Sequence, residues 1–122
     1  MYKGYGLYLG IALTCLSTLC LADSAAKTHR IHQFENSKVA VWETIIYPSK
    51  HQILSMHRHE RDRVVVALTD GTLKIENDKG KIHYLHLKKG HSYYLAKDVL
   101  NELHSDQNVS GHTIKVIVVE LK

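Results

Sequence analysis

Arg63–Asn77 reads RVVVALTDGTLKIEN. Three consecutive valines favour an extended chain, because β-branched side chains fit a pleated surface better than a helix. Asp70-Gly71 closes this run as a turn of the kind that joins hairpin strands. Beyond it the pattern alternates, with Leu73 and Ile75 on one side and Thr72, Lys74 and Glu76 on the other. That period of two is the signature of a half-buried strand. The same texture extends in both directions. Upstream, Lys38–Tyr47 (KVAVWETIIY) is a β-branched and aromatic run stopped by Pro48-Ser49, and His51–His59 is a second extended segment. Downstream, Asp78-Lys79-Gly80 and Lys89-Gly90 mark turns around Lys81–Lys88, and His91–Leu95, Leu100–Ser105 and Thr113–Leu121 follow. About eight short strands with turns every 8–12 residues predict an all-β sandwich or barrel. The run Lys115–Leu121 (KVIVVEL) reads as a strand buried on both faces. No segment carries a 3.6-residue period over three turns.

The chain has 122 residues, enough for one domain. Residues 1–22 hold a single charge, Lys3, ahead of the apolar run Leu7–Leu21. That run is short for a membrane span, and Cys20-Leu21-Ala22 ends it with small residues at the positions a signal peptidase reads. The reading is a signal peptide over 1–22, a flexible polar arm over 23–37, and a barrel domain over 38–122. It implies export, to the periplasm or outside if the host is bacterial, with no stable membrane span after cleavage. Both cysteines, Cys15 and Cys20, fall in the leader. The mature chain therefore has no disulfide, zinc–thiolate site or cysteine nucleophile. A formal net charge of +4 is too small to make nucleic acid the expected partner.

All ten histidines lie after residue 22. Met56-His57-Arg58-His59 is the informative tetrapeptide. Residues i and i+2 of a strand share a face, about 7 Å apart at their Cα atoms. His57 and His59 can thus present two imidazoles to adjacent positions on a first-row divalent ion. A third ligand must come from elsewhere, and His104 beside Leu103 is the best candidate. Glu102 has the same parity and could reach the same centre.

The stretch His57–Gly71, HRHERDRVVVALTDG, resembles the first motif of the cupin superfamily, H-x-H followed by Glu and then Gly. Gly90–Asn108, GHSYYLAKDVLNELHSDQN, resembles the second, whose H-x3-N ending is matched by His104 and Asn108. The resemblance implies a small jelly-roll barrel with one site inside its mouth and a metal held by His57, His59 and His104. It covers roughly Val39–Leu121. The sequence departs from the pattern in three places. Arg63 or Val64 stands where the first motif's glutamate falls, His51 stands where its opening glycine falls, and the second motif lacks its central proline and glycine.

Without that glutamate, three neutral histidines leave the charge of a divalent ion uncompensated, which suits an anionic ligand or positions left open for water and substrate. Arg63 has two readings. Pointing inward, it would repel a metal and offer a fork to a carboxylate or phosphate; paired with Asp62, Glu60 or Glu102, it would leave the metal site intact. Asp62 could also supply the missing carboxylate if the loop shifts register by one residue. Trp42, Tyr84, Tyr93 and Tyr94 read as core or barrel wall. Asn108-Val109-Ser110 also fits a glycosylation acceptor, although the motif accounts for Asn108 better. The functional expectation is an exported metal-binding protein acting on a small, anionic molecule, with Fe, Mn, Ni or Zn as cofactor. The alternatives are a non-catalytic ligand-binding or sensing barrel, and a metal-free barrel that forms a homodimer through its strand edges.

Overall fold

The computed structural model describes residues 27–122, and the leader expected over 1–22 lies outside the described residues. Among the described residues nine strands run in chain order: β1 (His29–Glu35), β2 (Val39–Ile46), β3 (Leu54–His57), β4 (Arg63–Ala67), β5 (Gly71–Asn77), β6 (Ile82–Leu87), β7 (Ser92–Leu95), β8 (His104–Asn108) and β9 (Ile114–Leu121). They form a five-stranded sheet ordered β1-β2-β9-β4-β7 and a four-stranded sheet ordered β3-β8-β5-β6. Every pairing is antiparallel. Among the described residues no helix is long and apolar enough to cross a membrane.

The all-β expectation holds, with local corrections. The stretch expected as part of a loose arm contains β1, which pairs with β2 along most of its length. All seven of its residues are exposed, so no hydrophobic pattern marks it; backbone pairing holds it in place. The second extended segment shrinks to Leu54–His57, leaving His59 in the loop beyond. The strand expected over Leu100–Ser105 begins only at His104, so Glu102 precedes β8 and the parity argument does not apply to it. Lys115–Leu121 is not buried on both faces: Val116 and Val118 point into the core, Lys115 is exposed, and Ile117 and Val119 are half-buried. An apolar run can mark a central strand whose outer face remains partly open.

Asp70-Gly71 is also not a hairpin turn, because β4 and β5 belong to opposite sheets. The pair carries the chain across the sandwich. The hairpin lies one turn later, where Asn77 N–H donates to Lys81 O at 2.9 Å and Gly80 adopts a φ of 79°. At the crossing, glycine is a packing requirement. A Cβ on Gly71 would lie 2.4 Å from Cγ1 of Ile114, a residue with no exposed surface and therefore no room to retreat. Gly71→Ala should destabilise the fold by about 2 kcal/mol through overpacking, read as a lower midpoint in urea with an unchanged slope.

The core lies between the sheets and comprises Ile46, Val65, Ala67, Leu73, Leu87, Ile114, Val116 and Val118, with Trp42, Leu54, Ile75, Leu85, Tyr93 and Leu95 packed against it. Tyr84 and Tyr94, expected in the core or wall, are more than half exposed. Asn108 pins one end of the sandwich. Its Nδ2 donates to Ile46 O at 2.9 Å and His112 O at 2.8 Å, while Oδ1 accepts from Ser110 N at 2.8 Å. A buried amide engaged in this way is a structural device, which sets aside the acceptor reading of Asn108-Val109-Ser110.

Candidate metal centre

Three segments meet between the sheets at one end of the sandwich. β3 ends at His57, the loop after it carries His59, and β8 opens with His104. Cross-strand pairing sets His57 directly opposite His104, and a register irregularity between Leu54 and His57 lies just before that pair. One donor atom from each of the three histidines falls within 4.8 Å of the other two. Nε2 of His57 and Nε2 of His59 are 3.1 Å apart. Two donors about 2.1 Å from one ion and at right angles to each other would be about 3.0 Å apart, so this pair fits adjacent ligand positions.

Partners on the outer nitrogens of two rings favour which nitrogen faces inward. His57 Nδ1 lies 2.7 Å from Ser55 O, a carbonyl that can only accept. The proton therefore resides on Nδ1 and the Nε2 lone pair is free. His104 Nδ1 faces Asp98 Oδ2 at 3.2 Å, a charge contact without hydrogen-bond alignment that favours the proton on Nδ1 and leaves Nε2 turned inward. A carboxylate or carbonyl partner on the outer nitrogen is the usual arrangement behind a metal-binding imidazole. Asp98 also binds the backbone around His59: its Oδ2 accepts from His59 N at 2.5 Å, and its own N–H donates to His59 O at 2.8 Å. One residue thus positions two of the three histidines. Burial, with Arg63 next in importance, pulls His59 down to about 3. Burial also lowers His104, against the pull of Asp106 and Asp98. Both rings are then neutral at ordinary pH, the form a metal requires. The residues present fit a divalent ion by number, donor chemistry and tautomer.

The additional residues expected at the site separate. Asp62 is not there. It lies on the surface, where its carboxylate accepts from the Tyr94 hydroxyl at 2.5 Å and from Lys97 N at 2.8 Å. The register-shift reading therefore fails, because those two bonds hold its side chain away from the cavity. Glu102 borders the cavity and accepts from Asn77 Nδ2 at 3.3 Å, but it stands outside the histidine cluster. Arg63 points inward. It is 7% exposed, donates to Ala96 O at 3.3 Å, and forms no ion pair among the described residues. The reading in which it pairs with Asp62, Glu60 or Glu102 is set aside. Burial lowers its pKa, opposed first by Asp98 and then by Asp106 and Glu120.

Sequence reading missed two acidic residues. Asp98 lies in an irregular loop, and no spacing points to it. Asp106 was within reach of the method already used: it is two residues beyond His104 on one strand, so the two side chains share a face. Its Oδ2 is 3.3 Å from His57 Nε2 and 3.7 Å from His104 Nε2. Burial holds its carboxyl above the usual range, with His104 and His57 pulling the other way.

Beside the histidines lies a cavity of about 420 Å³. Its apolar wall includes Trp42, Leu54, Val65, Leu73, Ile75 and Val118. Trp42 has a buried indole N–H with no partner among the described residues, and the Arg30 guanidinium lies 5.0 Å above its ring. Arg30 belongs to β1, so the stretch read as an arm helps to wall the site.

No protein-family model matches the chain. The chain is 36% identical over 90 residues to the beta-alanine degradation protein BauB of Pseudomonas aeruginosa, covering 74% of this chain and 88% of that protein. A cupin domain from Bordetella pertussis superposes with a TM-score of 0.68 at 29% identity, covering 79% of this chain and 94% of that one. A Klebsiella pneumoniae protein with a double-stranded β-helix domain superposes at 0.58 with 17% identity, covering 80% and 79%, a likeness of fold alone.

Proposed function

Because the chain belongs to the cupin superfamily, we propose that it binds one divalent transition metal through His57, His59 and His104 and takes a small carboxylate into the cavity beside it. The observation that carries this reading is the convergence of three imidazoles, two of them with Nδ1 facing oxygen acceptors and Nε2 turned inward.

Charge supports the anion. Arg30, Arg63 and Lys81 line the cavity against Asp98, Glu102 and Asp106, so three cations face three carboxylates. With neutral histidines these balance, and a divalent ion then leaves a surplus of two positive charges for an anionic guest to offset. Arg63 presents a planar fork suited to a carboxylate, and the apolar wall accommodates a short carbon chain. The relative's name connects that protein with beta-alanine degradation, and β-alanine is itself a small carboxylate. When bound, the ion supplies Lewis-acid chemistry or, if it is iron, dioxygen chemistry. The protein's own groups hold the guest by its carboxylate, surround its body with apolar side chains, and keep the histidines oriented. We place this domain outside the cytoplasm, on the strength of the apolar run and small residues over 1–22.

Elemental analysis of the purified protein tests the reading. About one equivalent of a single transition metal per chain is expected, and incubation with small carboxylates should raise the melting temperature of the metal-loaded form more than that of the stripped form. A protein that takes up no metal from Fe, Mn, Ni or Zn solutions overturns the proposal.

A further inference from the structure

The first motif has an arginine where the family places a ligand glutamate, yet a carboxylate still faces the histidines. It comes from the other side of the site. His57 carries its proton on Nδ1, which is hydrogen-bonded to Ser55 O, and the Asp98 carboxylate facing His104 Nδ1 favours the same tautomer there. Their Nε2 atoms are therefore acceptors. Asp106 Oδ2 faces both, at 3.3 Å and 3.7 Å, and its residue is only 9% exposed. A buried carboxylate oxygen directed at two imidazole lone pairs needs a cation or a shared proton among them. The 3.3 Å spacing is close to the roughly 3.4 Å that separates neighbouring donors around a tetrahedral ion; the 3.7 Å spacing is longer, and Asp106 stands at the edge of the histidine cluster. Asp98 does not compete for this role, because its oxygen is on the outer, Nδ1 side of His104.

We infer that Asp106 is a fourth ligand, so that the centre is three histidines and one carboxylate with the carboxylate relocated from the first motif to β8. The inference rests on the three-histidine reading. It also accounts for the tolerance of Arg63. With the glutamate position released from metal binding, an arginine there can serve the guest, and the anionic charge needed by the ion is delivered by the strand that carries His104.

The test uses the full chain, stripped of metal and titrated with Co²⁺ against a competing chelator. Asp106→Asn keeps the shape and removes the anionic donor. It should weaken Co²⁺ binding about 10–100-fold and change the visible d–d bands, while Asp106→Glu restores much of both. Infrared difference spectra of the unsubstituted protein, recorded on loading, supply a readout that needs no variant to fold: a carboxylate stretch should shift on coordination. Unchanged affinity and bands in Asp106→Asn overturn the inference while leaving three-histidine binding intact. Weaker binding with unchanged bands also overturns it, since the charge would then act from a distance. So does a wild-type infrared spectrum in which no carboxylate stretch moves. If the unsubstituted protein binds no Co²⁺, the proposed function itself fails and the inference fails with it.

Discussion

His104→Ala should reduce bound metal from about one equivalent to almost none, with affinity falling more than about 100-fold. Losing an outer hydrogen-bond partner behind a ligand typically costs 10–100-fold, and here the ligand itself is removed. The loss extends beyond one nitrogen. His104 is the residue that Asp98 orients, and Asp98 also binds the backbone around His59. Removing the ring leaves Asp98 without its side-chain partner and the His59 segment less firmly placed. His57→Ala should act in the same direction. His86, exposed on β6 and hydrogen-bonded to Thr72, is the control: His86→Ala should bind metal normally. Far-UV circular dichroism separates ligand loss from unfolding. Normal metal content in a folded His104→Ala protein would remove the site assignment.

Arg63→Met should separate guest from metal. The guanidinium is buried, has one hydrogen bond to a carbonyl, and lies on the cavity wall. A buried cation that forms no ion pair carries an uncompensated desolvation cost, and an apolar side chain of similar length removes it. The variant should therefore keep its fold and metal, with an unchanged or raised melting temperature. Affinity for short carboxylates such as propionate or β-alanine should fall at least about tenfold, because the charge-assisted fork is gone. Arg63→Lys should recover little, since an ammonium presents a point charge in place of two parallel donors. Calorimetric titration of metal-loaded protein reads both variants. Equal carboxylate affinity in Arg63→Met would show that the guest does not use this residue.

The strand pattern was legible because β-branched residues and a period of two are local properties. Which strands pair is not local. Asp70-Gly71 has hairpin chemistry, yet the chain leaves one sheet there and joins the other, because Gly71 must pass against Ile114 from a strand 43 residues further on. β1 escaped notice for the opposite reason: all its residues are exposed, so no apolar pattern marks a strand that backbone pairing with β2 sets in place. At the site, the three histidines were readable from an i, i+2 pair and a motif ending. Asp106 obeyed the same spacing rule relative to His104 and was overlooked. Asp98 could not have been found, since its value lies in what the folded loop brings beside it. Arg63 was visible as an anomaly, and only the fold shows that it turns inward.

β3 is four residues long and forms the outer edge of its sheet, with its registered partners limited to Leu54–Asp106 and His57–His104. A shared ion at His57 and His104 would clip the end of the shortest ladder among the described residues to its neighbour. Metal loading and local opening are then linked: amide hydrogens around β3 exchange fastest in the stripped protein and slow as the ion closes that edge.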